Sequence, residues 1–194
     1  MLKLWLIRHS LTQGNLKKRY IGITDEPLCE EGRKLLKTLS LPCPEMVFAS
    51  PLRRCVESAR ILFPGMEIQE ISELSECNFG EFENKNYQEL SENPHYQAWI
   101  NSNGTAPFPG GESREEFRER TLCGFDKVVE ECIQKGTERA ALVVHGGTIM
   151  NIMEAYAKPS KSFYEWHVDN GGFYEVCIEK SKWRGTKKHL KLCL

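Results

Sequence analysis

Two short apolar runs in this chain each end on a histidine. The first reads Leu4-Trp5-Leu6-Ile7-Arg8-His9, the second Ala141-Leu142-Val143-Val144-His145-Gly146-Gly147. Apolar runs of this length, bounded by turn residues, read as buried strands. In open α/β sheets the ligand sits outside the carboxyl ends of the strands. Two strands that each deliver a histidine there can bring both imidazoles into one pocket. Arg8 beside the first histidine points to an anion in that pocket.

The rest of the pattern supports such a sheet. Strands are expected at 2–8, 46–49, 66–71 and 139–144. Helices are expected over 31–39, from Ser50-Pro51 with Ser50 as N-cap, from the capping box Ser113-Arg114-Glu115-Glu116, and over 148–157. Strands alternating with helices predict an α/β fold: a three-layer α-β-α sandwich with a mainly parallel central sheet. Residues 73–111 carry glutamates, aromatics and turn residues with one small helix after Asn93-Pro94, and read as a small cap insertion. Asn170-Gly171 reads as a hairpin turn between strands at 163–168 and 173–178. The tail alternates Leu190, Leu192 and Leu194 as an edge strand would.

Right-handed crossovers bring Arg8-His9, Ser50 to Arg54 and His145 to one rim. The residue types there suit phosphate. A helix N-terminus favours an anion, and arginine matches phosphate oxygens with a planar fork. A neutral imidazole can attack phosphorus, and nearby guanidinium groups hold it neutral. The second imidazole can donate to the phosphoryl oxygens. A departing alkoxide also needs a proton. Glu73, Glu76, Glu81 and Glu83 are all candidates for that role, and pattern alone does not choose among them.

Composition narrows the alternatives. A net charge of −1 gives no reason to expect nucleic acid or an anionic membrane surface as partner. No run approaches the length of a membrane span, and the apolar stretch at 4–7 is too short for a signal-peptide core, so the protein is read as cytoplasmic. The eight cysteines form no C-x-x-C pair and are expected as free buried thiols. No clustered Cys and His suggest a zinc site. There is no Cys-x5-Arg loop, no Asp-x-Asp-x-Thr and no Walker A or G-x-G-x-x-G loop. His95, His167 and His189 lack comparable context and are read as structural.

Taken in order, these motifs resemble the histidine phosphatase superfamily, the phosphoglycerate-mutase-like group. Arg8, His9, Thr12 and Asn15 match its opening Arg-His-Gly-x-Thr-x-x-Asn, with Ser10 in place of the glycine. Ser50, Pro51 and Arg54 match its Ser-Pro-x-x-Arg. Leu74, Glu76, Phe79 and Gly80 match its Leu-x-Glu-x-x-Phe-Gly, with Asn84 where a glycine often follows. His145-Gly146-Gly147 matches its second histidine motif, and residues 20–28 and 109–113 also fit.

The resemblance implies a single domain over residues 1–194 and a metal-independent, cofactor-free phosphomonoesterase acting on a small phosphorylated metabolite. It implies that His9 is the nucleophile and Glu76 the proton donor. Arg8, Arg54 and His145, with Asn15, Gly22 and Thr24, would bind the phosphate. The pattern also resembles the short bacterial phosphatase branch that includes α-ribazole phosphatase. Two alternatives are a phosphoglycerate-type mutase and a catalytically silent phospho-ligand binding module. The second is motivated by Ser10, which would be strained if its position required a positive φ.

Overall fold

The computed structural model describes residues 1–185 and 188–193. Seven strands form one sheet in the order β3-β2-β4-β1-β6-β7-β5. They are β1 (Leu2–Arg8), β2 (Met46–Ala49), β3 (Ile68–Glu70), β4 (Arg139–Val144), β5 (Ala157–Lys158), β6 (Phe173–Ile178) and β7 (Leu190–Leu192). The helices are α1 (Gln13–Leu16), α2 (Glu30–Lys37), α3 (Arg53–Leu62), α4 (Pro94–Asn101), α5 (Arg114–Gln134), α6 (Gly146–Tyr156) and α7 (Lys180–Trp183). Strands β3, β2, β4 and β1 pair in parallel, and β6 runs antiparallel to both β1 and β7.

Strand alternation makes the three layers. Leu2, Leu4 and Leu6 of β1 face α5 and α6, where they meet Phe125, Val128, Ile149 and Ile152. Trp5 and Ile7 face the other way and pack with Cys55, Ala59 and Phe63 on the α3 side. Both faces of the sheet are covered, as a parallel sheet requires. A separate aromatic core forms in the cap, where Phe82, Leu90 and Tyr96 are buried against Tyr20, Phe79, Trp99 and Phe108. Among the described residues no helix is long and apolar enough to cross a membrane.

Several local expectations need correction. Helix α3 starts at Arg53, and its N-cap residue Leu52 makes no side-chain cap bond. The Arg53 amide is instead capped from a distant loop by Asp25 Oδ1 at 2.7 Å. Residues 163–166 form a 3-10 turn, not a strand. The Ser162–Glu165 capping box starts that turn, and Phe163 N donates to Glu154. Gly171 does turn the chain, with φ 79°, but it does so between that turn and β6.

The cysteines also depart from expectation. Cys29, Cys55, Cys77 and Cys132 are free and buried, whereas Cys43 and Cys123 are exposed. Cys177 and Cys193 form a disulfide with a Cα–Cα distance of 5.7 Å. The β6–β7 register, which pairs Val176 with Leu192, brings them together, and that register is a long-range property not carried by cysteine spacing. Leu194, the last residue of the expected edge strand, lies outside the described residues.

The loop after β1 is held close to α2. A Cβ built at Gly32 would lie 2.2 Å from the Leu11 carbonyl oxygen. The Gly32→Ala variant is therefore expected to lose about 1–3 kcal/mol of stability through overpacking. A denaturant titration would show this as a lowered midpoint with an unchanged slope.

Candidate active site

Strand register alone sets the two histidines side by side. Arg8 of β1 pairs with Val144 of β4, so His9 and His145 follow as neighbours beyond the strand ends. Their ring centroids are 5.2 Å apart at an interplanar angle of 67°. His9 N donates to Val144 O at 2.9 Å, which closes the last rung of the ladder.

His9 is buried and its orientation is fixed. Its Nδ1 lies 2.7 Å from the Ser10 carbonyl oxygen. A carbonyl can only accept, so Nδ1 carries the proton and Nε2 keeps its lone pair. Burial, followed by the Arg54 and Arg8 charges, pushes the imidazole well below the usual histidine range, against the contrary pull of the Ser10 carbonyl. The ring is therefore neutral at neutral pH.

His145 is the N-cap residue of α6 and is fully buried. Its Nε2 lies 2.8 Å from Ser50 Oγ, and Cys55 Sγ lies 3.5 Å from the same nitrogen. Burial is again the largest cause of its lowered pKa, followed by Arg54 and His9. Ser50, expected as a helix cap, meets this imidazole as well as making a long contact from Leu52 N.

Two guanidinium groups flank the rings. Arg54 is fully buried, donating to the carbonyls of Thr24 at 2.8 Å and Gly22 at 2.7 Å. Arg8 donates to the Val168 carbonyl at 2.7 Å. Each keeps a buried Nε–H with no partner among the described residues. Arg53, the neighbour in the same motif, is exposed and pairs with Glu57.

Glu76 completes the group. Its carboxylate accepts from Cys77 N at 3.0 Å and from Gly147 N at 3.1 Å, in the first turn of α6. A Cβ at position 147 would lie 2.6 Å from Glu76 Oε1, so a larger residue there would displace the Glu76 carboxylate. Burial raises the Glu76 pKa, opposed by those two amides and then by Arg54 and Arg8. Arg120 holds the Glu76 segment through the carbonyls of Glu73 and Ser75 and a bidentate contact to Glu112. Of the other three candidates, Glu73 pairs with Lys127, Glu81 with His95, and Glu83 with the 22–24 loop.

Asn15 sits in the α1 capping box, its Oδ1 accepting from Thr12 N and from Asn170 Nδ2. Gly22 and Thr24 are arranged around Arg54: their carbonyls accept from it, and their amides donate to Glu83. Ser10 is unstrained, since it is not among the residues with positive φ. Its hydroxyl donates to Gly32 O at 2.9 Å and its amide to Ser58 Oγ. Asn84 does take φ 56°, a region asparagine tolerates. Glu83 and Asn170, whose Nδ2 also donates to His9 O, carry no local signal of these roles. Among the described residues no three His, Cys, Asp or Glu side chains gather to hold a metal.

Beside Glu76 and Gly147 a cavity of about 350 Å³ opens between the cap and α6. Its walls are mostly apolar and include Tyr20, Phe79, Trp99, Phe108, Phe117 and Met150. Among the described residues Arg114 is the one cation on this wall, and Glu154 pairs with it at 3.3 Å.

Comparison with known proteins gives a consistent family. The model for the histidine phosphatase superfamily (branch 1) matches residues 4–189. The chain is 28% identical over 189 residues to adenosylcobalamin/alpha-ribazole phosphatase of Salmonella typhimurium, covering 91% of each protein. It is equally 28% identical over 203 residues to a protein of Hydrogenobacter thermophilus named for phosphoserine phosphatase activity, covering 100% of this chain and 97% of that one. The crystal structure of the alpha-ribazole phosphatase from Shigella flexneri superposes with a TM-score of 0.85 at 26% identity, covering 100% and 95% of the two chains.

The two neutral histidines make stability depend on pH. The unfolded chain takes up a proton on each near pH ~6.5, whereas the folded chain does so only at much lower pH. The unfolded state therefore binds more protons in that window, and stability falls as pH drops through it. The melting temperature is expected to decline below pH ~6.5, and His145→Gln should flatten that decline. A wild-type curve with no loss between neutral pH and the carboxylate range would contradict the buried neutral pair.

Proposed function

The chain belongs to the histidine phosphatase superfamily, and from that membership we propose a metal-independent phosphomonoesterase that works through a phosphohistidine on His9. The observation that carries this reading is the His9 ring, pinned through Nδ1 by the Ser10 carbonyl and held neutral by burial and two guanidinium groups. Relatives whose names differ in substrate but share phosphatase activity support the same reading.

In the first step Nε2 of His9 attacks phosphorus and the bond to the leaving oxygen breaks. The Glu76 carboxyl proton passes to that oxygen, leaving an alcohol. Arg8, Arg54 and His145 take the phosphoryl oxygens and neutralise their charge, the part that metal ions play in kinases. In the second step the Glu76 carboxylate takes a proton from water. The water oxygen bonds to phosphorus and the phosphorus–nitrogen bond breaks. Inorganic phosphate leaves, and His9 and Glu76 return to their starting states. The raised pKa of Glu76 suits the first half, because burial keeps its proton available for donation at a higher pH than a free carboxyl would.

The apolar cavity beside Glu76 favours a ring-bearing leaving group over a small zwitterion such as serine. It also argues against a mutase, which must retain a small, highly charged intermediate; among the described residues Arg114 is the only cation lining the cavity, and it is already paired. The silent-module reading loses its motive, since Ser10 is not among the residues with positive φ. The relatives named for alpha-ribazole phosphatase make α-ribazole 5′-phosphate one ring-bearing phosphate to assay.

The protein is expected to hydrolyse p-nitrophenyl phosphate in the presence of EDTA. His9→Ala should lower kcat/KM by at least about 10³-fold, as loss of a nucleophile does. Undiminished turnover by that variant would overturn the mechanism. Because Glu76 must be protonated to act as acid, kcat/KM should fall as pH rises through its raised pKa. Glu76→Gln should abolish that alkaline limb and lower the rate by about 10²-fold or more. Survival of the limb in the variant would reassign the acid.

A further inference from the structure

Helix α6 turns Gly147, Met150 and Asn151 toward the cavity, the i, i+3, i+4 spacing of one helical face. Gly147 meets Glu76 at the site of proton transfer. One turn further on, Asn151 is fully buried, and neither its Nδ2 nor its Oδ1 has a partner among the described residues. The indole Nε1 of Trp99, on the cap wall of the same cavity, is also buried and without an acceptor. Thr121 and Thr148 have unpartnered hydroxyls too, but they do not line the cavity. Asn151 and Trp99 thus combine two properties, a buried unpaired polar group and a place on the wall of the leaving-group cavity.

A buried amide with both ends unpaired is costly, and leucine would fill nearly the same shape without that cost. A ligand that pairs both ends removes the penalty on binding. A carboxamide pairs best with a planar edge that carries a donor next to an acceptor, the pairing that asparagine makes with adenine. The surrounding Tyr20, Phe79, Phe108 and Phe117 rings suit a flat partner. We propose that Asn151 and Trp99 are specificity-determining residues, and that the cavity takes a leaving group whose heteroaromatic ring presents an adjacent donor and acceptor, as a purine or pyrimidine base does. This rests on the phosphatase reading above and adds to it the polar edge of the substrate. A site built to satisfy such an edge rejects an analogue that lacks it far more strongly than an apolar pocket could.

The test compares two probes of the same outline. Inosine 5′-monophosphate carries the N–H and carbonyl edge, and purine-riboside 5′-monophosphate lacks it. The wild-type protein is expected to prefer the first in kcat/KM by about tenfold or more. The ratio of the two values cancels any change in the amount of folded protein. Asn151→Leu should collapse that ratio toward unity, and Asn151→Asp, which removes the amide donor, should also lower it. A wild-type ratio near one, or a ratio unmoved in both variants, overturns the proposal. Hydrolysis of 2-naphthyl phosphate is measured in parallel. If it persists while the nucleotide ratio fails, only the specificity assignment falls; if the wild-type protein hydrolyses none of the three, the phosphatase reading itself falls.

Discussion

Everything at this site depends on keeping two imidazoles neutral beside two guanidinium groups. His9 and His145 are neighbours because β1 and β4 are parallel and in register up to Arg8 and Val144. Burial and the Arg54 charge then make protonation of either ring costly. The arrangement stores no positive charge on the rings and concentrates it on the arginines. Under the proposed mechanism an incoming phosphate would meet a neutral nucleophile inside a cationic frame. The frame would also serve the transition state, where charge moves onto the equatorial oxygens.

Arg54 needs support of its own, and the cap helps to provide it through Glu83. Arg54 is held by the carbonyls of residues 21, 22 and 24, and that loop is in turn gripped by Glu83 through three amides and the Thr24 hydroxyl. Asp25 in the same loop caps α3 one residue before Arg54. On the other side Arg120 fixes the segment that carries Glu76. The cap therefore does two jobs. It walls the cavity beside Glu76 with aromatic rings, and it fixes the loop that holds Arg54 through Glu83.

The sheet and its two helical layers were legible from local pattern, and two strand-end histidines pointed to one rim, although the contact between His9 and His145 is set by the β1–β4 register. An apolar run marks a strand, and a strand's end marks the rim. Glu76 could be picked from four glutamates only through motif order, since no periodicity separates it from Glu73, Glu81 or Glu83. What stayed hidden depends on long-range register. Asn170 reads as an ordinary turn residue, yet it bonds His9 O and Asn15. Gly22 and Thr24 read as phosphate ligands, yet their polar backbone groups are engaged by Arg54 and Glu83. The Cys177–Cys193 bond required the pairing of β6 with β7, which cysteine spacing does not encode. Asn151 looks like one polar residue in an apolar helix, and only the cavity beside it shows that its amide is unpaired.

The central claim is that the phosphoryl group passes through His9, and trapping that intermediate tests it most directly. The protein would be mixed with a rapidly hydrolysed aryl phosphate, quenched within the first turnover, digested and examined by peptide mass spectrometry under conditions that preserve phosphoramidates. The account predicts a phosphoryl group on the His9 peptide, formed at the rate of the first product burst and absent from His9→Ala. A phosphoryl group on a different residue, or burst kinetics with His9 unmodified, would contradict it.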